Sequence, residues 1–98
     1  MTQKYDVVLN GQLGERFGTL TWTETGGRVT GSLSLLGFDN PITGTREGRI
    51  LKLVHRLRTA VSTLSCETQA ELRGSELSGT VVSDSVRMGL HGRKREEV

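Results

Sequence analysis

Leu64, Cys66, Thr68, Ala70 and Leu72 alternate with Ser65, Glu67, Gln69 and Glu71. A period of two, with apolar or small residues on one side and polar residues on the other, describes a strand with one face buried and one in water. The same period recurs along the chain. Tyr5, Val7 and Leu9 alternate with Asp6, Val8 and Asn10. Leu20 and Trp22 alternate with Thr19, Thr21 and Thr23, and Val29, Gly31, Leu33 and Leu35 with Thr30, Ser32 and Ser34. Turn signals punctuate these runs: Thr25-Gly26-Gly27, Gly37-Phe38-Asp39-Asn40-Pro41, Arg46-Glu47-Gly48, Arg73-Gly74-Ser75 and Ser83-Asp84-Ser85. The pattern predicts eight strands, near 4–10, 16–24, 28–35, 38–46, 49–58, 61–72, 76–83 and 86–94.

Eight consecutive strands joined by short turns suit an up-and-down antiparallel barrel of the calycin-like kind, since closing the first strand on the last removes both sheet edges. A two-sheet sandwich uses the same strands but leaves edges to protect. Gly31, Gly44, Gly79 and Gly92 fall on the inward parity, where a small barrel must taper and bend. The expected interior comprises Tyr5, Val7, Leu9, Leu20, Trp22, Val29, Leu33, Ile42, Leu53, His55, Leu57, Leu64, Cys66, Leu72, Leu77, Val81, Val86, Met88 and Leu90. With this many large side chains inside, the lumen should be mostly filled.

A shift of 48 residues aligns the two halves without a gap. Gly26 meets Gly74, Gly31 meets Gly79, Ile42 meets Leu90 and Gly44 meets Gly92. Few residues are identical, but the polar and apolar pattern predicts four strands per half with the same facing, a 4+4 internal repeat.

Composition narrows the classes. At 98 residues and 34% hydrophobic content, two separate cores are out of reach, so residues 1–98 form a single domain with a modest core. The formal charge of +2, from 13 basic and 11 acidic side chains, announces neither a nucleic-acid nor a membrane partner. No apolar run is long enough to span a membrane as a helix, and Met1–Lys4 lacks the apolar stretch of a secretory signal. The single cysteine, Cys66, has no intrachain disulfide partner, and no Cys/His pair has zinc-ligand spacing. The plain expectation is a cytoplasmic protein without cofactor or metal.

His55 is the most informative candidate. Parity places it with Leu51, Leu53 and Leu57, and the 48-residue shift aligns it with Val7, so it should point inward on an apolar face. An imidazole there either bonds to a nearby carbonyl or hydroxyl, or binds a small ligand or acts as an acid or base. Cys66 and Thr68 share that inward parity. A His/Cys pair is one way to make a thiolate nucleophile, but no orienting third group is evident, and Cys66 also suits a small buried apolar position. Trp22 anchors the core, or lines a pocket with Tyr5, His55, Cys66 and Met88. Leu36 and Phe38 sit at a corner, where they plug a barrel end or make a dimer contact.

Arg49, Lys52, Arg56 and Arg58 form a basic run. Lys52, Arg56 and Arg58 share the outward parity, as do Glu67, Gln69 and Glu71 on the next strand. Cross-strand ion pairs are the expected outcome. The alternative is an anion or nucleic-acid patch joined by Arg93, Lys94 and Arg95. Glu96 and Glu97 follow at once, and no surface aromatics are spaced for base stacking, which argues against nucleic acid.

Gly18-Thr19-Leu20-Thr21-Trp22, Gly26-Gly27-Arg28-Val29-Thr30-Gly31-Ser32-Leu33 and Pro41-Ile42-Thr43-Gly44-Thr45-Arg46 resemble a small β-barrel domain of bacteria. Its pattern runs G-T-L-T-L, G-x-L-x-G-x-L and F-P-L-x-G-x-R, often given twice. The second copy here is Glu76-Leu77-Ser78-Gly79-Thr80-Val81 and Met88-Gly89-Leu90-His91-Gly92-Arg93-Lys94. The second half departs from the pattern between Arg56 and Ser65. The resemblance covers nearly the whole chain, and it implies a domain that stands alone or forms a tail on larger enzymes, including flavin-dependent oxidoreductases of anaerobes. It transfers no catalytic residue.

Three functions are therefore expected, in this order. The first is a non-catalytic binding or protein-interaction module, accessory to an oxidoreductase. The second is a barrel for a small apolar ligand, lined by Tyr5, Trp22, His55, Cys66 and Met88. The third is an enzyme of unidentified type, although no Gly-x-Ser-x-Gly elbow, phosphate loop or His/Glu metal motif occurs. The oligomeric expectation is a monomer or homodimer.

Overall fold

The computed structural model describes residues 2–11, 14–35, 37–58, 62–84 and 86–95. Eight strands follow one another in the chain: β1 (Thr2–Gly11), β2 (Gly14–Thr25), β3 (Arg28–Leu35), β4 (Phe38–Glu47), β5 (Ile50–Arg58), β6 (Thr63–Arg73), β7 (Glu76–Val82) and β8 (Arg87–Lys94). Each pairs antiparallel with the next, and β8 pairs with β1, which closes the barrel. At that seam Leu9 faces Leu90 and Tyr5 faces Lys94. The Arg95 guanidinium also bonds the Asp6 carboxylate, and Arg95 N donates to Lys4 O. The Arg95 guanidinium holds the Asp6 carboxyl below its usual range.

The expected strands form with shifts of one or two residues at their ends. Residue 61, the expected start of the sixth strand, lies outside the described residues, as do Leu36, Ser85, Glu96 and Glu97. One local reading changes. Phe38-Asp39-Asn40-Pro41 is not a corner but the start of β4, with only Gly37 of that string in the turn. The left-handed φ of Gly37 lets the chain reverse early, and Phe38 then pairs at once with Leu35.

The period-two pattern is realised as an apolar interior. Trp22, Leu20, Ile42, Leu51, Leu77, Leu90, Val7, Val29 and Val81 are almost wholly removed from water. Burying such a side chain contributes about 1.5–3 kcal/mol. Leu64 and Val86, expected inside, are half-buried against this core. Outward positions on β5 and β6 carry Lys52, Arg56, Arg58, Glu67 and Gln69.

The inward glycines explain how so short a barrel closes. A Cβ on Gly31 would stand 1.9 Å from the Thr21 carbonyl oxygen, and one on Gly44 would stand 1.9 Å from that of Lys52. At these points the neighbouring backbone occupies the space a side chain would need, so the sheet coils tightly there.

Six of the eight ladders keep their register under the 48-residue shift. Val7 faces Gly18 as His55 faces Cys66. Trp22 faces Gly31 as Ala70 faces Gly79, and Gly31 faces Ile42 as Gly79 faces Leu90. The ladders joining the halves differ by two residues. Ile42 faces His55, whereas its counterpart Leu90 faces Leu9 rather than Val7.

Candidate functional site

The five expected ligand-lining residues fall into separate places. Tyr5 and Trp22 stack, with ring centroids 4.9 Å apart and planes 12° from parallel. They lie toward the barrel end that carries the turn at 26–27. Burial pushes the Tyr5 phenol pKa up, and the nearby Arg46 guanidinium opposes it in part. The Trp22 Nε1 is buried without a hydrogen-bond partner. His55 and Cys66 face each other across β5 and β6, toward the opposite end. Met88 lies toward that end too, opposite Val81.

His55 is buried, as parity requires, at 6% exposure. Its Nε2 shares a hydrogen bond of 2.6 Å with Thr68 Oγ1, while Nδ1 has no partner at hydrogen-bond geometry. Burial pushes the His55 pKa below its usual value, and a looser interaction with the Arg56 backbone offsets part of that. Cys66 is buried as well, its Sγ 3.8 Å from Leu64 O, and burial pushes its thiol pKa up. A thiol held protonated is the wrong state for a nucleophile.

The depressed His55 pKa predicts a pH dependence. Above the unfolded value near 6.5, both states are neutral at this ring and its contribution to stability is complete. As pH falls below that value, the unfolded chain takes up the proton first, and stability is lost down to the lower folded pKa. A His55→Leu chain is expected to remain folded and to show a flatter stability profile between about pH 7 and 5. Urea denaturation of both chains across that range measures the difference. Parallel profiles would mean that His55 does not set the slope.

The more open chemistry lies where the barrel wall is broken. The β4–β5 ladder stops at Ile42 and His55, although β5 continues to Arg58 and β4 reaches back to Phe38. Proline keeps a place in an unbroken ladder only where its nitrogen points away from the partner strand. Pro41 sits opposite Ser32 inside the unbroken β3–β4 ladder, so its nitrogen faces β5 and ends the pairing there. Asn40 spans the gap with its side chain. Its Nδ2 donates to Leu33 O at 3.0 Å, and its Oδ1 accepts from Arg58 N at 3.0 Å. Asn40 is 1% exposed.

The other flank of the hairpin is broken too. The β6–β7 ladder ends at Glu67 and Val82, while β6 extends back to Thr63. Ser83 N donates to Val86 O and turns β7 away. The tip formed by Arg56–Arg58 and Thr63–Cys66 is thus laddered only to itself. It falls in the stretch, Arg56 to Ser65, where the second half departs from the sequence pattern. The resulting notch is an open cavity of about 810 Å³. Its lining includes Asn40, His55 and Cys66 together with the charged Arg56, Arg58, Glu67 and Asp84. A second depression of about 640 Å³ shares Val54, Glu67 and Val82 with it, so the two form one trough across the outside of β5, β6 and β7.

The expected cross-strand ion pairs do not form. The β5–β6 register sets Lys52 opposite Gln69, Val54 opposite Glu67, Arg56 opposite Ser65 and Arg58 opposite Thr63. Glu71 faces Ile50 and bonds Arg73 on its own strand instead. The other described ion pairs are Arg46–Glu24, Arg93–Glu76 and Arg95–Asp6. Lys52, Arg56 and Arg58 therefore keep their charges free among the described residues. Phe38 is only marginally exposed, whereas Phe17, which the sequence reading did not single out, is 74% exposed. Asn40 was also missed, because an Asn-Pro pair reads first as a turn. Its inward parity with Ile42 is the signal that could have found it.

No family model matches the chain, and no curated protein matches it in sequence.

Proposed function

We propose that the protein is a non-catalytic binding module that takes its ligand at the notch flanking the β5–β6 tip, acting as an accessory to a larger enzyme. The observation that carries this reading is that the wall breaks on both flanks of the β5–β6 tip, with an open cavity and cations unpaired among the described residues at that one place. A closed barrel removes its edges, so an edge retained beside a cavity is a place for a partner. A catalytic role lacks support, because His55 is tied to Thr68 and the Cys66 thiol is held protonated.

The experiment is a fragment screen by NMR on the isotope-labelled protein. Amide shifts should cluster at 38–40, 54–58, 63–67 and 82–84. The orphaned Trp22 Nε1 and His55 Nδ1 favour a second reading, a small ligand inside the lumen. Shifts centred on the Trp22 indole and Tyr5 would select that reading. A screen without any localised response would remove both. A native mass spectrum of the gently purified protein adds an independent check, since a stoichiometric extra mass would identify a retained luminal molecule.

A further inference from the structure

We infer that the notch takes an extended acidic peptide, which adds as a strand to the free edge of β6. The inference rests on the notch being the binding site and names its partner class.

The edge is present and short. Residues 63–66 of β6 ladder to β5 on one side, and β7 no longer accompanies them on the other. In an antiparallel pair every second residue turns its N–H and C=O away from its partner. Two of these four residues therefore offer main-chain donors and acceptors to an incoming strand. Strand addition of this kind takes its affinity from main-chain bonds and its selectivity from alternate side chains.

The charge around the edge selects the partner. Lys52, Arg56, Arg58 and Arg87 line the trough and have no ion-pair partner among the described residues, against Glu67 and Asp84. Arg56 faces Ser65 and Arg58 faces Thr63. Both β6 residues are small and outward, so each guanidinium can extend over them toward a strand lying along the edge. Carboxylates at alternate positions of that strand would meet Arg56 and Arg58, and guanidinium is suited to hold carboxylate in paired bonds. Between the charges, Val54 at 59% and Val82 at 39% exposure flank Glu67. They offer an apolar contact where a further carboxylate would be repelled. The trough runs on past them, which suits an extended ligand rather than a compact ion.

The test uses the full chain and a peptide labelled at its N-terminus, fluoresceinyl-Glu-Val-Glu-Val-Glu-Val-amide, read by fluorescence anisotropy. Three changes should each weaken binding by about tenfold or more: replacing the glutamates of the peptide with lysines, N-methylating its alternate amides, and the double substitution Arg56→Glu and Arg58→Glu. Bound peptide should also slow amide hydrogen exchange at 63–66. Equal binding of the N-methylated peptide would overturn strand addition, and equal binding of the lysine peptide would overturn the acidic preference. Tighter binding of an oligothymidylate would overturn a peptide as the partner. No saturable binding up to millimolar peptide would overturn the inference as a whole. Fragments that still map to the notch would then leave the binding-site reading standing, so the two failures are distinguishable.

Discussion

A Gly31→Val chain is expected to lose at least about 3 kcal/mol of stability, and with it a large share of what a domain of this size has. The added Cβ would stand 1.9 Å from Thr21 O and 2.7 Å from Trp22 Cα. Both are backbone atoms, so no rotamer change relieves the collision. Strand β3 would have to move away from β2, and the ladder from Gly18–Leu35 to Thr25–Arg28 would move with it. Gly26→Ala is the matched control. Its φ is +57°, yet nothing lies within 4 Å of the new atom, so only backbone strain of about 1 kcal/mol is expected. Denaturant midpoints for both chains separate close approach from backbone conformation. Equal losses would show that the inward glycines are not there to admit the neighbouring strand.

The second large effect is expected at Asn40. Asn40→Leu keeps the volume but removes the amide that joins Leu33 O and Arg58 N across the break beside Pro41. A buried group left without its partner costs about 1–3 kcal/mol, and two groups are involved here. The loss should therefore be about 2–6 kcal/mol. It should also be local in character. Amides at 56–58 and 63–66 should exchange faster than those of the β1–β2 or β3–β4 ladders, because Asn40 ties the tip to the wall from the β4 side. Uniform acceleration across the barrel would mean that Asn40 supports the whole fold rather than the tip.

Much of the fold was legible in the chain. Leu64, Cys66, Thr68, Ala70 and Leu72 alternate with polar residues, and that alternation alone gives β6 and its facing. Parity then placed His55 inside with Leu53 and Leu57, where it lies. The positions of Gly31 and Gly44 pointed to tight coiling, although the size of the approach needed coordinates. These inferences succeed because a strand has one period and one buried face, both of which are local properties.

The candidate site was legible only in part. The sequence placed Lys52, Arg56 and Arg58 on one outer face, and Glu67, Gln69 and Glu71 on the face beside it. Whether they pair depends on the register of β5 against β6. That register sets Arg56 beside Ser65 and Val54 beside Glu67, so the charges miss one another. The grouping of Tyr5, Trp22, His55, Cys66 and Met88 rests on parity alone. Parity says that they all point inward, but it does not say at which height in the barrel. Tyr5 and Trp22 stack toward one end, and His55 and Cys66 face each other toward the other.

The amino-acid sequence by itself determined the strands, their buried faces and the glycines that let so short a wall close. Each follows from the size and polarity of a residue and its near neighbours. Tertiary structure alone decided which charges are left free, where Asn40 sends its amide and where the wall opens beside Pro41. These depend on which residues of distant strands stand opposite one another, and no local pattern carries that information.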